Sequence, residues 1–192
     1  MPGRQAKVIA PAMLRALHRH VRSSATPDRD WAMVLLSVKA GLRAAEIAKL
    51  DWSMIIGGHG QVGQMIELPD RIAKCRGGRR IPLHPELRIV LARLWATAAS
   101  LEQPVIVSAR GGPLRPNSVV NWFVATFAAL GLRGCSSHSG RRTFITKAAR
   151  TVHKVGGSLR DVQLLAGHRS IETTQRYIDG DSDAQRRLIA LI

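Results

Sequence analysis

Strand-forming patterns in this 192-residue chain are confined to one stretch, between Trp52 and Leu83. Glycines crowd it at positions 57, 58, 60, 63, 77 and 78. Between and after them lie four short β-prone segments, at residues 53–56, 65–68, 72–74 and 79–83. This pattern predicts one small antiparallel sheet with a hairpin that turns at Gly77-Gly78.

Helical patterns occupy both sides of that stretch. Trp31, Val34, Leu35 and Val38 recur at helical spacing before Gly41, which predicts an amphipathic helix that ends there. Similar patterns, with proline near helix starts and glycine after helix ends, predict helices at residues 11–21, 28–40, 43–50, 85–98, 117–130, 139–150, 158–166, 170–178 and 183–191. Residues 1–10 are expected to form a loose basic arm. The predicted fold class is mainly α (α+β), in a single domain over residues 1–192.

The charge of the chain indicates a polyanionic partner. There are 29 Lys and Arg against 13 Asp and Glu, a formal net charge of +16. No acidic residue occurs between Glu102 and Asp161, whereas nine basic residues do. A solvated basic face is the alternative, but a surface that contacts nucleic-acid phosphates is the better hypothesis.

Other features bound the location. Two cysteines, Cys75 and Cys135, make no disulfide framework, and the first residues lack the apolar core of a signal peptide. The longest apolar run, residues 119–130, is too short to span a membrane. We expect a cytoplasmic, reduced protein with no membrane partner.

Two clusters in the first half carry charge at suggestive spacings. In GLRAAEIAKL, Arg43 and Glu46 share one helix face, although an exposed ion pair of little energetic value is the alternative. In AKCRGGRRIPL, Lys74 begins the predicted hairpin, where it could contact a phosphate or protonate a leaving oxygen. Its basic neighbours around the turn are Arg76, Arg79 and Arg80. A basic hairpin that only keeps a sheet edge soluble would look the same.

Two further clusters lie in the second half. In SSHSGRRTF, His138 and Arg141 lie three apart at a helix N-terminus, which favours an anion. Arg141 shares a face with Phe144, so its guanidinium is predicted to point inward, and Arg142 outward. A buried guanidinium needs a partner, and a ligand phosphate is favoured over a structural carboxylate.

LLAGHRSIETTQRYID holds His168 and, nine residues later, Tyr177, the only tyrosine of the chain. A half-buried structural tyrosine is the alternative there.

In order and spacing, these clusters resemble the tyrosine recombinase (phage integrase) family over roughly residues 10–180. The resemblance implies six catalytic residues: Arg43, Lys74, His138, Arg141, His168 and Tyr177. It implies that Glu46 orients Arg43, and we assign Arg76, Arg79, Arg80 and Arg142 to DNA binding. Ser139-Gly140 departs from the acid and leucine more common in the family. No N-terminal clamp domain is expected within these residues.

The implied activity is site-specific cleavage and rejoining of duplex DNA through a 3′-phosphotyrosyl intermediate. Two guanidiniums would stabilise the phosphate charge, and Tyr177 would be the nucleophile. Lys74 would protonate the leaving 5′ oxygen, and His138 and His168 would assist. No ATP, metal or other cofactor is implied. The implied partners are double-stranded DNA, a homotetramer joined by exchange of the C-terminal helix within residues 181–192, and accessory DNA-bending proteins.

Within this interpretation, a topoisomerase of related chemistry would differ by acting on DNA without needing a paired site. Two further alternatives remain. Residues 158–178 resemble a helix-turn-helix in which Thr173, Gln175 and Arg176 would contact bases, so the chain could bind DNA without cleaving it. That hypothesis leaves the spacing of the other clusters unexplained. The second alternative is a zinc site, with a spacing typical of no familiar finger, whose ligands would be Cys135, His138, His153 and His168.

Overall fold

The structure, a computed structural model, describes residues 6–73, 77–178, 186, 189–190 and 192. The prediction of a mainly α fold with a small antiparallel sheet is confirmed. Among the described residues the helices are α1 (Pro11–Arg22), α2 (Pro27–Lys39), α3 (Ala44–Ala48), α4 (Pro85–Trp95), α5 (Pro116–Ala129), α6 (Ser139–Thr151), α7 (Leu159–Ala166) and α8 (Ile171–Gln175). The strands are β1 (Met65–Leu68) and β2 (Arg79–Pro82), and 3₁₀ turns cover Trp52–Met54 and Val152–Val155.

Helix α2 lies at the centre of the fold. Proline occupies its first turn, and every residue from 30 to 38 is buried. A helix buried on all sides must be surrounded by other elements, and α1, α4 and α6 pack against this one. Helix α2 is therefore the reference against which the other elements are placed.

The sheet differs from its predicted form in two ways. Strands β1 and β2 pair antiparallel with Ile66 opposite Ile81, but residues 69–78 separate them, so the predicted tight turn at Gly77-Gly78 is wrong. Gly78 instead approaches Asp70 closely: its N–H donates to Asp70 Oδ1 at 2.8 Å. Residues 53–56 form no named strand, because Trp52 and Met54 turn into the core within a 3₁₀ turn.

Two apolar clusters of very different size hold the molecule together. The main core collects side chains from α1 to α5 and from both strands. The second, which we call the small core, has Ile145, Val162 and Ala166 as its buried members, with Phe144 and Tyr177 packed partly against them. Helix α6 contributes Ile145 to the small core and packs on α2 with another face, so it joins the two regions.

The ends of the chain bear on two predictions. Residues 6–10 are not a loose arm: Ile9 is buried, its N–H donates to Thr143 Oγ1 at 2.8 Å, and Lys7 N–H donates to Gly134 O at 3.0 Å. The predicted helix at 183–191 lies largely outside the described residues. None of the helices in the described part of the chain is long and apolar enough to cross a membrane.

Candidate active site

Glu46 is the anion around which the first side of the site is built. Helix α3 begins after Arg43, and the carboxylate folds back on that start: Oε2 accepts from Arg43 N–H at 2.8 Å and Oε1 from Arg43 Nη1 at 2.8 Å. The Glu46 side chain is only 1% exposed. The pairing of Arg43 with Glu46 is thus present, but as a contact to a buried carboxylate rather than as an exposed ion pair.

Arg79 supplies a second cation to the same carboxylate. Its Nη1 donates to Glu46 Oε1 at 3.1 Å and its Nη2 to Oε2 at 3.0 Å, while Nε donates to Leu165 O at 2.9 Å. The side chain is 5% exposed. The assignment of Arg79 to DNA binding, made from its place around the predicted turn, is not supported, because its guanidinium is directed into the protein. Strand alternation was the available signal, since Arg79 shares its face with buried Ile81.

Arg141 points inward, as predicted. Its guanidinium donates to Gly41 O at 2.6 Å from Nη1 and to Ala166 O from Nη2 at 2.5 Å. These two backbone carbonyls lie on the turn before α3 and at the end of α7, and no sequence pattern predicts them as partners. Gly41 has φ +66°, and a side chain there would collide with Phe144, so glycine is required for this approach.

His168 and Tyr177 form the other side of the site. Gly167, with φ +63°, ends α7 and turns the chain into His168, whose Nδ1 is 2.9 Å from the hydroxyl of buried Thr174. The imidazole stacks on the ring of Tyr177, with centroids 5.6 Å apart and planes at 24°. Helix α8 ends at Gln175, so Tyr177 lies in the turn that follows rather than within the predicted helix 170–178.

These two sides face one cavity of about 510 Å³. Its walls include five of the six predicted catalytic residues: Arg43, His138, Arg141, His168 and Tyr177. Lys74 and Arg76 lie outside the described residues, and Glu46 lies beneath Arg43. Of the predicted DNA contacts, Arg142 also lines the cavity, whereas Arg80 is at an exposed ion pair with Glu67 elsewhere. The helix-turn-helix candidates Thr173 and Arg176 line this same cavity.

The cavity wall is strongly positive. Burial raises the pKa of Glu46, but hydrogen bonds and charge from Arg79, and then from Arg43, outweigh it and lower the pKa to about 2. Burial, followed by repulsion from Arg43 and Arg79, lowers the pKa of Arg141 to about 10. At neutral pH, one carboxylate is thus surrounded by three guanidiniums, an arrangement that favours a bound anion.

His168 is neutral at physiological pH for related reasons. Burial, and then the charges of Arg141, Arg43 and Arg79, lower its pKa to about 4. A neutral imidazole has one nitrogen that donates and one that accepts. Since Thr174 engages Nδ1, the hydroxyl fixes the ring orientation beside the phenol of Tyr177.

The zinc alternative finds no support in this geometry. Within the described residues, which include all four proposed ligands, no three His, Cys, Asp or Glu side chains come together in a way that could hold a metal ion.

Comparisons with known proteins agree with the geometry. XerC tyrosine recombinases are similar in sequence: the one from Bradyrhizobium diazoefficiens is 31% identical over 191 residues, covering 95% of this chain and 55% of the relative. The one from Rhodospirillum centenum is 32% identical over 162 residues, covering 81% and 43%. The chain spans about half the length of the curated relatives it matches.

Solved structures share the fold. The XerA recombinase crystal structure superposes with a TM-score of 0.73 at 19% identity, covering 100% of this chain and 67% of XerA. A lambda integrase dimer bound to a COC′ core site gives 0.71 at 21% identity, covering 93% and 49%. Residues 7–183 match the phage integrase family. The chain therefore belongs to the phage integrase family.

Proposed function

We propose that this chain is the catalytic part of a site-specific recombinase, which cleaves and rejoins duplex DNA through a covalent 3′-phosphotyrosyl intermediate. The observation that carries the proposal is the convergence of Tyr177 with Arg43 and Arg141 on one cavity, with His168 stacked on the phenol. A nucleophile beside preorganised cations is the arrangement that phosphoryl transfer requires.

The two arginines have complementary supports. Arg43 is oriented by a carboxylate, whereas Arg141 is oriented by two carbonyl oxygens, which fix the guanidinium without adding a formal negative charge. Negative charge that develops on the non-bridging oxygens of a scissile phosphate would be stabilised by both. His138, at the start of α6, adds a further donor at the cavity wall.

In the cleavage step, the phenol oxygen of Tyr177 forms a bond to phosphorus as the bond to the 5′ oxygen breaks. We assign assistance in the transfer of the phenol proton to neutral His168, and protonation of the 5′ oxygen to Lys74. The phosphotyrosine linkage conserves the energy of the broken bond. A 5′ hydroxyl from another strand can therefore reverse the step without ATP.

The proposed substrate is double-stranded DNA, and the proposed assembly is a homotetramer. Among structures that share the fold, one is a lambda integrase tetramer bound to a Holliday junction and another is a Tn1549 transposon integrase in complex with circular intermediate DNA. We extend this assembly to the chain, with exchange of a segment within residues 181–192, recruitment of accessory DNA-bending proteins, and action in the cytoplasm on a bacterial or phage genome.

DNA binding without cleavage is less well supported. Helix α8 has only five residues, and Thr173 and Arg176 face the cavity that Tyr177 and Arg43 also line. Two of the three residues that would contact bases in a helix-turn-helix are thus directed to the candidate site.

The test uses wild-type protein and Tyr177→Phe, each incubated with nicked DNA fragments from around its own gene. A protein–DNA adduct that survives SDS, formed by wild type and absent with Tyr177→Phe, is the expected result. Arg93→Met, which removes an exposed ion pair with Asp28, is the control and should form the adduct like wild type. Binding by both proteins with an adduct from neither would favour the binding-only alternative.

A further inference from the structure

Arg79 connects three elements that carry the candidate site. It extends from β2, contacts both carboxylate oxygens of Glu46 in α3, and donates to Leu165 O at the end of α7. Its Cδ and Nη1 would each lie 3.0 Å from a Cβ added to Gly167, so the guanidinium also packs beneath the turn that leads to His168.

The contact with α7 has a clear electrostatic basis. The last carbonyls of a helix lack intrahelical partners and carry partial negative charge, so cations stabilise them. In α7, two consecutive carbonyls are engaged in this way: Leu165 O accepts from Arg79 and Ala166 O accepts from Arg141. The end of α7 is therefore held on two guanidiniums, one residue before the turn that positions His168.

We propose that Arg79 is a positioning residue for strand cleavage, which holds the carboxylate that orients Arg43 and, through the end of α7, sets the place of His168. This inference rests on the proposed function, and it gives Arg79 a role that involves no contact with DNA. It would keep the two sides of the site at a fixed spacing before any phosphate enters.

A simple exposed ion pair would have no such effect. Glu46 is faced by Arg43 from the start of α3, by Arg79 from β2 and by Arg141 from α6. Arg79 is the partner that contacts both oxygens through side-chain nitrogens, so its loss leaves a buried carboxylate with weaker compensation. The same loss removes one of the charges that keep His168 neutral.

The first experiment is free of DNA. Carboxyl carbons of ¹³C-glutamate and imidazole protons are followed by NMR against pH in wild type, Arg79→Met and Arg80→Met, with Glu46→Gln and His168→Gln used to assign the two signals. In Arg79→Met, the Glu46 midpoint is expected to rise from about 2, and the His168 midpoint by a smaller amount from about 4, because burial, Arg141 and Arg43 still lower the pKa of His168. Arg80→Met is the matched control, since the adjacent arginine is 69% exposed, and neither midpoint should move.

The second experiment measures DNA binding and the single-turnover rate of adduct formation separately, well below the melting temperature of each variant. Arg79→Met should cleave roughly 100-fold more slowly, the cost of a displacement of about 1 Å at a reacting centre, with little change in affinity. Arg79→Lys retains the charge but not the three-point contact, so it should recover part of the rate and most of the Glu46 shift.

The outcomes test the positioning role of Arg79 and the proposed function separately. Unchanged midpoints in Arg79→Met, or binding and cleavage that fall by the same factor, would overturn the positioning role. If wild type forms no adduct on any fragment, the proposed function fails instead. The NMR midpoints then still decide whether Arg79 controls Glu46 and His168.

Discussion

The two sides of the cavity are supported by apolar cores of unequal size. Arg43, Glu46 and Arg79 belong to elements that pack on the main core, while His168 and Tyr177 rest on the small core around Ile145. Elements with few buried apolar contacts open more readily than a large core does. The difference indicates that Arg43 and Arg79 are held rigidly and that Tyr177, the proposed nucleophile, lies on the part of the molecule better able to adjust.

Helix α6 connects these two regions, because it packs against both cores. Gly140 packs on Ser37 of α2, Arg141 reaches the carbonyls of both regions, and Ile145 enters the small core. Substitutions in the main core, in the small core and in α6 should therefore affect the stability of the two sides differently.

The largest expected effect comes from removing the buried anion. Glu46→Leu leaves the Arg79 guanidinium buried without its carboxylate, which should lower the free energy of unfolding in urea by about 3–5 kcal/mol and abolish adduct formation. Glu67→Leu removes the exposed partner of Arg80 and should cost no more than about 0.5 kcal/mol. Equal losses of unfolding free energy in the two variants would show that burial does not strengthen the ion pair of Glu46 with Arg79.

A pair of core truncations compares the two cores directly. Leu36→Ala, in the centre of α2, should cost about 2–5 kcal/mol and accelerate hydrogen exchange throughout the chain. Ile145→Ala should accelerate exchange mainly in α7 and α8, because the small core can open while the main core stays folded. Uniform acceleration in the second variant would show that the regions unfold as one unit.

The packing of α6 on α2 is tested by Gly140→Ala. The added Cβ would collide with Ser37 Oγ and lie 2.7 Å from Ser37 Cβ, so α2 and α6 must separate, at a cost of about 1–3 kcal/mol. Because Arg141 follows directly, adduct formation should fall as well. Ser37→Gly in the same chain removes both clashing atoms, and a double-mutant cycle should show that it restores part of the stability and activity. If the losses in the double mutant are additive, the Gly140–Ser37 contact is not the cause of the effect.

A further expected effect is a pH dependence from the small-core side. The pKa of His168 is about 4 in the folded chain against an ordinary 6.5, so the unfolded chain binds more protons between these values. The stabilising contribution is complete above pH 6.5 and is lost as pH falls toward 4. The difference in melting temperature between wild type and His168→Gln should shrink over that window, and a constant difference would contradict this shift.

Local signals predicted the helices well. Proline at helix starts and glycine at positions 41 and 167 gave boundaries close to those observed, because these effects act within a few residues. The stretch between Trp52 and Leu83 was less predictable. Its apolar residues serve a 3₁₀ turn and a long connection as well as strands, and tertiary burial of Trp52 and Met54 decides between them.

Five of the residues that line the candidate cavity could be predicted from the sequence, but their supports could not. Arg43, His138, Arg141, His168 and Tyr177 were recognised by their motifs, and all line one cavity. The partners of Arg79 and Arg141 could not be foreseen, since one is a carboxylate 33 residues away and the others are backbone carbonyls. Only the alternation of β2 indicated that Arg79 faces inward.

Tyr177, which stacks on His168, is the only tyrosine of the chain. This has a practical consequence. Fluorotyrosine supplied during expression would place one fluorine per protomer, at the phenol of Tyr177, the proposed nucleophile, with no assignment step. Free and DNA-linked phenols would then give separate signals. In an assembly on DNA, their intensities would report what fraction of the protomers is covalently joined at any moment.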